Sequence, residues 1–375
     1  MKSIKHISYF LFILAVLSCC NACTPCFIEN KDAFVNPKNC ELFFEPQKTF
    51  LEDLSSKTIV FEDSFIDGQF SPDGFLFATG GINGLSIYSF VGEEPILIQT
   101  RKFLGDIEFV RWSPNGKLIA LSSTDKFLYL YDINKQEIIN WRSVGSYHAP
   151  YMEWSSDGRF IFTLTGSPFF DAENVIGRLY ETEGLRFVKE YYYPKTQLGF
   201  QTPLTFDWDR DNPEEAQVLV RTNYDFLYLD GKNDKSISLE FSNLSPNFYK
   251  EVFWLDQKNF LALNYYSKEE AVLFISDGTV ENKLSAQISS NINDRGNIYN
   301  STINKSKNLI LSFGGPGILF HCIGEKELVY LGAIQYPEFH ISDRLIVNWE
   351  TKDAYVHKWH SNELIHFNLS GILKE

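Results

Sequence analysis

The sequence has 375 residues, of which 44% are hydrophobic and 16% aromatic, and its formal net charge at pH 7 is -14. Such an acidic surface repels nucleic acid and anionic lipid headgroups, so we expect no nucleic-acid partner and no direct attraction to lipid. Long helical patterns are absent, which argues against an α/β enzyme fold.

The first residues predict an export signal. A positively charged start precedes Ile7–Leu17, an apolar run that is too short to span a bilayer and is typical of a secretory signal peptide. Val16-Leu17-Ser18-Cys19 resembles a bacterial lipobox. That resemblance implies removal of residues 1–18 and acylation of Cys19, which would anchor the protein at a membrane. An ordinary signal peptide cut near Ala22 is the alternative.

A tether is predicted between the signal peptide and the folded domain. Residues 19–56 contain several Cys, Pro, Asn and Lys, and we expect them to hold the domain away from the membrane. All the cysteines except Cys322 lie between Cys19 and Cys40, and Cys322 lies in the domain. Disulfides are expected for exported cysteines that are not acylated, but the sequence leaves their pairing open.

Two neighbouring stretches, 110–121 and 152–164, are similar copies of one repeat unit, with Trp112 and Trp154 at equivalent positions. Each unit ends a strand with an aromatic residue and continues with a Ser-x-Asx-Gly turn, a basic residue and an apolar run. The Asx-Gly pair supplies the positive φ that a tight turn between strands needs. Phe70–Gly74 repeats the pattern at the same interval before Trp112. This period, with short strands, predicts the blades of a β-propeller.

The unit recurs with decreasing fidelity along the chain. Its markers are Phe70, Trp112, Trp154, Trp208, Trp254, Ile303 and Ile341, at similar intervals in the sequence. We therefore expect an all-β propeller over residues 57–375 with seven four-stranded blades, and six or eight blades are the alternatives. Either Thr58–Glu62 or Leu364–Leu369 could supply the outer strand that closes the ring.

These repeats resemble the WD-repeat and TolB-type propeller superfamily over roughly residues 57–375, most clearly at Phe70–Gly74 and at the two tryptophan units. The sequence departs from true WD repeats in lacking their Gly-His pair, and the Trp-Asp that ends a third strand has only Tyr131-Asp132 as its counterpart. The resemblance implies an architecture, and this architecture supports many functions.

The fourth unit replaces the Ser-x-Asx-Gly turn with an acidic loop. Carboxylates stand at alternate positions and then at the ninth, namely at Asp207, Asp209, Asp211 and Glu215. Oxygen ligands in this arrangement can surround Ca²⁺. The spacing resembles the calcium loops of integrin-type propellers, although Asn212 stands where glycine is expected. A solvated acidic insertion is the alternative, and no other cofactor is expected.

The third unit carries the longest insertions. One loop spans about residues 166–177, and the link to the next unit spans about residues 194–203. Strand order places both on the same side of the disc, where long aromatic loops can present a binding surface. The candidate partner-binding residues are Phe169, Phe170, Tyr193 and Phe200. Variable loops without a function are the alternative.

No catalytic constellation stands out. A Ser-His-Asp order and a Gly-x-Ser-x-Gly motif are absent, and His357 and His360 fall on opposite faces of a predicted strand. We therefore predict a non-enzymatic scaffold that binds a protein or a glycan in the cell envelope, as a periplasmic or outer-membrane lipoprotein or at the cell surface. The alternative is a propeller enzyme of the hydrolase or lactonase type, with its site at the channel mouth.

Overall fold

The structure is a computed structural model that describes most of the chain after residue 55. The described residues are 56–92, 94–144, 150–164, 175–192, 203–210, 213–215, 217–222, 226–233, 235–239, 249–254, 259–264, 269–276, 279–287, 298–304, 309–314, 317–323, 328–335, 343–358, 361–370 and 372–373. They form antiparallel sheets and two short 3-10 helices, Glu183–Leu185 and Pro213–Glu215. No helix in this part of the chain has the length and apolar character to cross a membrane.

Three blades come from the half of the chain in which the repeat is clearest. Blade 1 comprises β2 (Asp67–Phe70), β3 (Leu76–Gly81), β4 (Gly84–Ser89) and β5 (Ile96–Arg101). Blade 2 comprises β6 (Ile107–Trp112), β7 (Leu118–Ser123), β8 (Phe127–Asp132) and β9 (Glu137–Ser143). Blade 3 comprises β10 (Tyr151–Trp154), β11 (Phe160–Leu164), β12 (Val175–Glu181) and β13 (Arg186–Tyr192).

Three further blades follow in the same order. Blade 4 comprises β14 (Pro203–Trp208), β15 (Gln217–Thr222), β16 (Phe226–Asp230) and β17 (Lys235–Leu239). Blade 5 comprises β18 (Tyr249–Trp254), β19 (Asn259–Asn264), β20 (Glu269–Ser276) and β21 (Thr279–Gln287). Blade 6 comprises β22 (Ile298–Asn304), β23 (Leu309–Gly314), β24 (Gly317–Ile323) and β25 (Leu328–Gln335).

A further four-stranded sheet joins the two ends of the domain, and we call it the closing sheet. It comprises β26 (Arg344–Asn348), β27 (Asp353–His357), β28 (Glu363–Asn368) and β1 (Ser56–Val60). The outermost strand is β1, which pairs antiparallel with β28 from Ser56 opposite Phe367 to Val60 opposite Glu363. The N-terminal segment therefore supplies the outer strand, and the C-terminal segment supplies the third.

The structure corrects the predicted series of seven blades, each begun by its own marker. Within the described residues, six blades are each built from one continuous stretch, and their first strands contain the first six markers. Ile341, the seventh marker, lies outside those residues, and the closing sheet begins instead at Arg344. Leu345–Val347 belong to the first strand of that sheet. This sheet differs from the six blades because it takes its outer strand from the other end of the domain.

The first strands of neighbouring sheets lie side by side and close a ring. Contacts join β26 with β2, β2 with β6, β6 with β10, β14 with β18, β18 with β22, and β22 with β26. Blades 3 and 4 are joined where the Ser156 amide donates to the Arg210 carbonyl at 3.0 Å. Apolar side chains fill the space between sheets, as where Ile87 of blade 1 packs with Trp112 and Leu121 of blade 2.

The strand order gives the ring two different faces. Links between blades and turns between second and third strands lie on one face, which we call the link face. Turns between first and second strands, and between third and fourth strands, lie on the opposite face. The chain enters each blade from the link face.

The repeated motif has the same geometry wherever it is clear. In blade 2, the Ser113 hydroxyl donates to Asn115 Oδ1 at 2.9 Å, and the Leu118 amide donates to Ser113 Oγ at 2.9 Å. Gly116 has φ +68°, the left-handed conformation that glycine adopts without strain. The corresponding serines of blades 1 and 3 make the same pair of hydrogen bonds.

The two tryptophans occupy rotation-related surroundings. Trp112 Nε1 donates to the Gln69 carbonyl at 3.0 Å, and Trp154 Nε1 donates to the Arg111 carbonyl at 2.9 Å. Each indole therefore ties its own blade to the first strand of the preceding blade. This equivalence confirms the propeller interpretation of the repeats.

A charged network as the candidate functional site

Side-chain oxygens bridge the first strands, which belong to separate sheets. The Val110 amide of β6 donates to Asp67 Oδ2 of β2 at 3.0 Å, and the Trp112 amide donates to Gln69 Oε1 at 2.7 Å. Between β22 and β26, the Leu345 amide donates to Asn300 Oδ1 at 3.0 Å. These contacts satisfy backbone donors that no neighbouring strand pairs, because buried amides require an acceptor.

Charged side chains extend these bridges around the centre of the ring. Arg111 of blade 2 lies between two carboxylates, with Nη1 2.7 Å from Asp67 Oδ2 and Nε 2.9 Å from Glu153 Oε1. Arg344 of the closing sheet reaches the other Asp67 oxygen at 3.2 Å. Through their shared ion pairs, Asp67 and Arg111 therefore connect blades 1, 2 and 3 and the closing sheet.

The network continues into blade 4 through Arg210, directly after β14. Its Nη1 lies 3.5 Å from Glu153 Oε2, and its Nη2 lies 3.1 Å from Asp207 Oδ1. The charges alternate in sign along the series Arg344, Asp67, Arg111, Glu153, Arg210 and Asp207. We call this series the channel network.

Burial and pairing fix the charge states of its central members. The Asp67 side chain is 8% exposed, and burial alone would raise its pKa, but Arg111, Arg344 and the Val110 amide together lower the pKa below its ordinary value. Burial would lower the pKa of Arg111, but Asp67 and Glu153 raise it. Both groups stay ionised at neutral pH, so neither is poised to exchange a proton.

Tyr151 adds a partly exposed aromatic group beside the network. It begins β10 and is 39% exposed, and its ring lies 4.3 Å from the ring of Phe109. The Arg111 guanidinium carbon lies 6.0 Å from the Phe109 centroid, within cation–π range. Burial raises the pKa of Tyr151, which keeps its hydroxyl protonated.

The predicted calcium ligands divide between the network and the undescribed residues. Asp207 is buried, and its Oδ1 accepts from the Trp208 amide at 2.9 Å as well as from Arg210. The Asp209 amide donates to the Gln217 carbonyl at 2.9 Å. Asp211 and the Glu215 side chain lie outside the described residues, so the Ca²⁺ site stays a prediction. Among the residues that the structure describes, no group of three or more His, Cys, Asp or Glu could hold a metal ion.

The remaining predicted site residues lie outside the described part of the chain, namely Cys19, Phe169, Phe170, Tyr193 and Phe200. The strands that flank the two predicted binding loops are described, and their order puts the ends of both loops on the link face.

The two described histidines of the C-terminal segment occupy different environments. His357 is buried, stacks on Phe65 at 3.9 Å between centroids, and has Nε2 3.2 Å from the Ser361 carbonyl. Burial lowers the pKa of His357 to about 4. His366 instead places Nε2 2.7 Å from Asp353 Oδ1. His360 lies outside the described residues.

Most of the channel network was not predicted from the sequence, although a signal was present. The residue before the marker is polar in four consecutive blades, namely Gln69, Arg111, Glu153 and Asp207. This position lies on the first strand of each blade, which is the strand nearest the centre of the ring. A polar residue there in several units indicates a hydrophilic centre of the ring.

Comparisons with known proteins agree with this geometry. The family model for eukaryotic translation initiation factor eIF2A matches residues 69–195, about a third of the chain, which corresponds to blades 1 to 3. The fold is that of a WD40-like β-propeller. No curated protein matches the sequence.

Solved structures share this fold at low sequence identity. The β-propeller domain of Cps50 (Swd1) from Myceliophteria thermophila is 10% identical with a TM-score of 0.58, and the match covers 84% of this chain and 98% of that one. The structure of U3-55K is 8% identical with a TM-score of 0.60, and again the match covers 84% and 98% of the two chains. At such identities the likeness shows the fold alone.

Proposed function

We propose that the protein is an exported, lipid-anchored propeller that acts as a non-enzymatic scaffold, binding a protein or a glycan in the cell envelope. The observation that carries this proposal is the channel network, in which every carboxylate has an arginine partner. General acid–base catalysis needs a group whose pKa lies near the working pH. Asp67 is instead held as a carboxylate, which favours a structural role for the centre and a binding role for the faces.

Two features support the proposed export. The signal sequence and lipobox stand at the start of the chain, with Cys19 as the acylation site. Cys322, on β24 and 2% exposed, is disulfide-bonded. Disulfides persist in oxidising compartments and are rare in the cytosol.

Lipid anchoring is tested by the substitution Cys19→Ser in the full-length precursor, expressed in a bacterial host. We expect the wild-type chain to sediment with membranes and to carry fatty acid by mass spectrometry. The variant should carry no fatty acid, because serine at this position has no thiol to acylate. Fatty acid on the variant in the same amount as on the wild type would contradict Cys19 as the anchor.

Scaffold function is tested by cross-linking in the native envelope, followed by purification and identification of the captured molecules. We expect one partner at near-stoichiometric yield and no turnover of lactone or glycoside substrates. Recovery of the propeller without a partner, together with hydrolysis of such a substrate, would favour the enzyme hypothesis instead.

A further inference from the structure

Large apolar side chains are exposed on the link face of blades 1 and 2. Leu104, in the link from β5 to β6, is 99% exposed, Ile82, in the turn from β3 to β4, is 66% exposed, and Trp141 of β9 is 65% exposed. The link and the turn both lie on the link face, and Trp141 lies near the end of β9 that reaches this face.

Direct contacts join these segments into one surface. The Thr124 amide donates to the Asp106 carbonyl at 3.0 Å, and the Asp106 amide donates to Thr124 Oγ1 at 2.9 Å, which fixes the link against the neighbouring turn. The strand that follows the Ile82 turn lies against the start of the link, because a Cβ at Gly84 would clash with the Arg101 carbonyl and would lie 3.1 Å from the Lys102 Cα.

An aromatic row crosses the same surface. The ring of Phe103 lies 5.0 Å from that of Tyr129, which lies 5.9 Å from that of Phe127. Phe127 in turn meets Trp141 edge-to-face at 5.5 Å. Trp141 is therefore positioned by a neighbour while most of its surface stays open to solvent.

Basic side chains lie beside these apolar groups. Arg101, Lys102 and Lys126 are all exposed at the ends of β5 and β8 on this face. Arg142 points away from the patch, because its Nη1 donates to the Leu185 carbonyl of blade 3 at 3.0 Å. Asp106 and Asp125 lie on the same face but are partly buried, and Asp125 Oδ2 accepts from the Tyr129 hydroxyl at 2.6 Å. In a chain with a formal net charge of -14, a surface whose fully exposed charged groups are Arg101, Lys102 and Lys126 marks a local reversal of sign.

We propose that this surface, the blade 1–2 patch, is the docking site for an acidic segment of a protein partner that packs an apolar side chain beside Trp141. Tryptophan and arginine dominate the energetics of protein interfaces, and complementary charge orients the partner. The contact with Phe127 already restricts the motion of Trp141 in the free protein. Trp141 therefore loses less conformational entropy when a partner binds. A second copy of the chain is a poorer occupant, because two chains of charge -14 repel each other. This inference rests on the proposed scaffold function and assigns its partner class.

The test uses a library of random peptides displayed on phage and selected on the mature protein. We expect enriched peptides to be acidic, to contain an aromatic or large aliphatic residue, and to bind less tightly as salt increases. Trp141→Ser should weaken the best peptide about tenfold or more, as expected for an interface anchor. Arg101→Glu/Lys102→Glu should weaken it by a similar factor and remove the salt dependence.

Matched controls come from the opposite face. Phe75 is 51% exposed there, and Lys117 is exposed in the turn after β6, so Phe75→Ser and Lys117→Glu change similar side chains away from the patch. Both should bind the peptide as the wild type does. Circular dichroism and thermal melting establish that each variant is folded, and the charge-reversal variant tests the patch independently of Trp141.

Several results would overturn the inference. Enriched peptides could lack acidic character or bind every variant alike. Vesicles of phosphatidylglycerol, but not of phosphatidylcholine, could sediment the protein in a Trp141-dependent manner, which would assign the patch to a membrane. Sedimentation could show a dimer that Trp141→Ser dissociates. If the partner captured from the envelope binds Trp141→Ser unchanged, the patch is refuted while the scaffold function stands.

Discussion

Replacing Arg111 by methionine should destabilise the ring more than the loss of an ordinary surface arginine. The change removes ion pairs of 2.7 and 2.9 Å. It also leaves the negative charge of Asp67, whose side chain is 8% exposed, with less positive charge beside it. Breaking a buried pair by removing one partner costs about 3–5 kcal/mol. Arg344 still lies 3.2 Å from Asp67, so we expect a smaller loss, about 2–3 kcal/mol.

Urea denaturation and calorimetry measure this effect. With an unfolding entropy of about 2.1 cal/mol/K per residue over roughly 320 residues, the loss corresponds to a fall in Tm of about 3–5 °C. The matched control is Arg186→Met, because Arg186 pairs with Glu181 at 2.6 Å with a 69% exposed side chain. Such a surface pair contributes less than about 1 kcal/mol.

A double variant separates charge burial from lost packing. Asp67→Asn keeps an oxygen for the Val110 amide and removes the unpaired charge, so Asp67→Asn/Arg111→Met should recover about 1 kcal/mol or more relative to Arg111→Met. Wild-type stability in Arg111→Met, or simple additivity of the two substitutions, would refute the argument for a coupled network.

Three other perturbations follow from the same geometry. Trp112→Phe loses the hydrogen bond to the Gln69 carbonyl and should reduce stability by about 1–2 kcal/mol in urea titrations, whereas an unchanged midpoint would contradict the inter-blade role. Ile59→Ala, at a position that is 3% exposed on β1, should lower stability by about 2–5 kcal/mol and increase proteolysis of the N-terminal strand. His357 has a folded-state pKa of about 4 against 6.5, so the unfolded state binds more protons and stability falls as pH drops from 6.5 to about 4. His357→Gln should flatten Tm against pH in that window, and an unaltered slope would exclude His357 as its source.

The contribution of Asp67 to the stability of the fold depends on pH in a more acidic range. Its pKa is lowered below 3.8 in the folded state, so its stabilising contribution is complete above 3.8 and is lost as pH falls through the folded-state pKa. Loss of Arg111 weakens this contribution, which should make the Arg111→Met variant less sensitive to pH in that acid range.

Local chemistry explains why the first half of the fold could be predicted from the sequence. The Ser-x-Asx-Gly turn requires particular residues at fixed positions, and Trp112 and Trp154 repeat the same hydrogen bond, so both leave a signal in the sequence. The closing sheet leaves a weaker signal, because Asn348 instead of a motif turn contacts blade 1, donating from Nδ2 to the Gly74 carbonyl at 2.8 Å.

The channel network could be predicted only in outline. A polar residue before each marker is visible in the sequence, but its partner is not, since Arg344 and Asp67 are 277 positions apart. Which charges meet depends on how the blades are arranged around the ring. The aromatic character of the blade 1–2 patch was likewise hidden, because a strand pattern does not show which apolar residues a neighbouring blade leaves uncovered.

The pairing of β1 with β28 determines when the ring can close during folding. Ser56 is synthesised near the start of the domain and its partner Phe367 near the end, so the first strand waits with its edge groups unsatisfied until the last one arrives. Six blades can assemble during that interval, but the disc stays an open arc. The ring therefore closes in a single late step. A chain that stops before the C terminus would leave this strand edge unpaired, and other chains would associate with it.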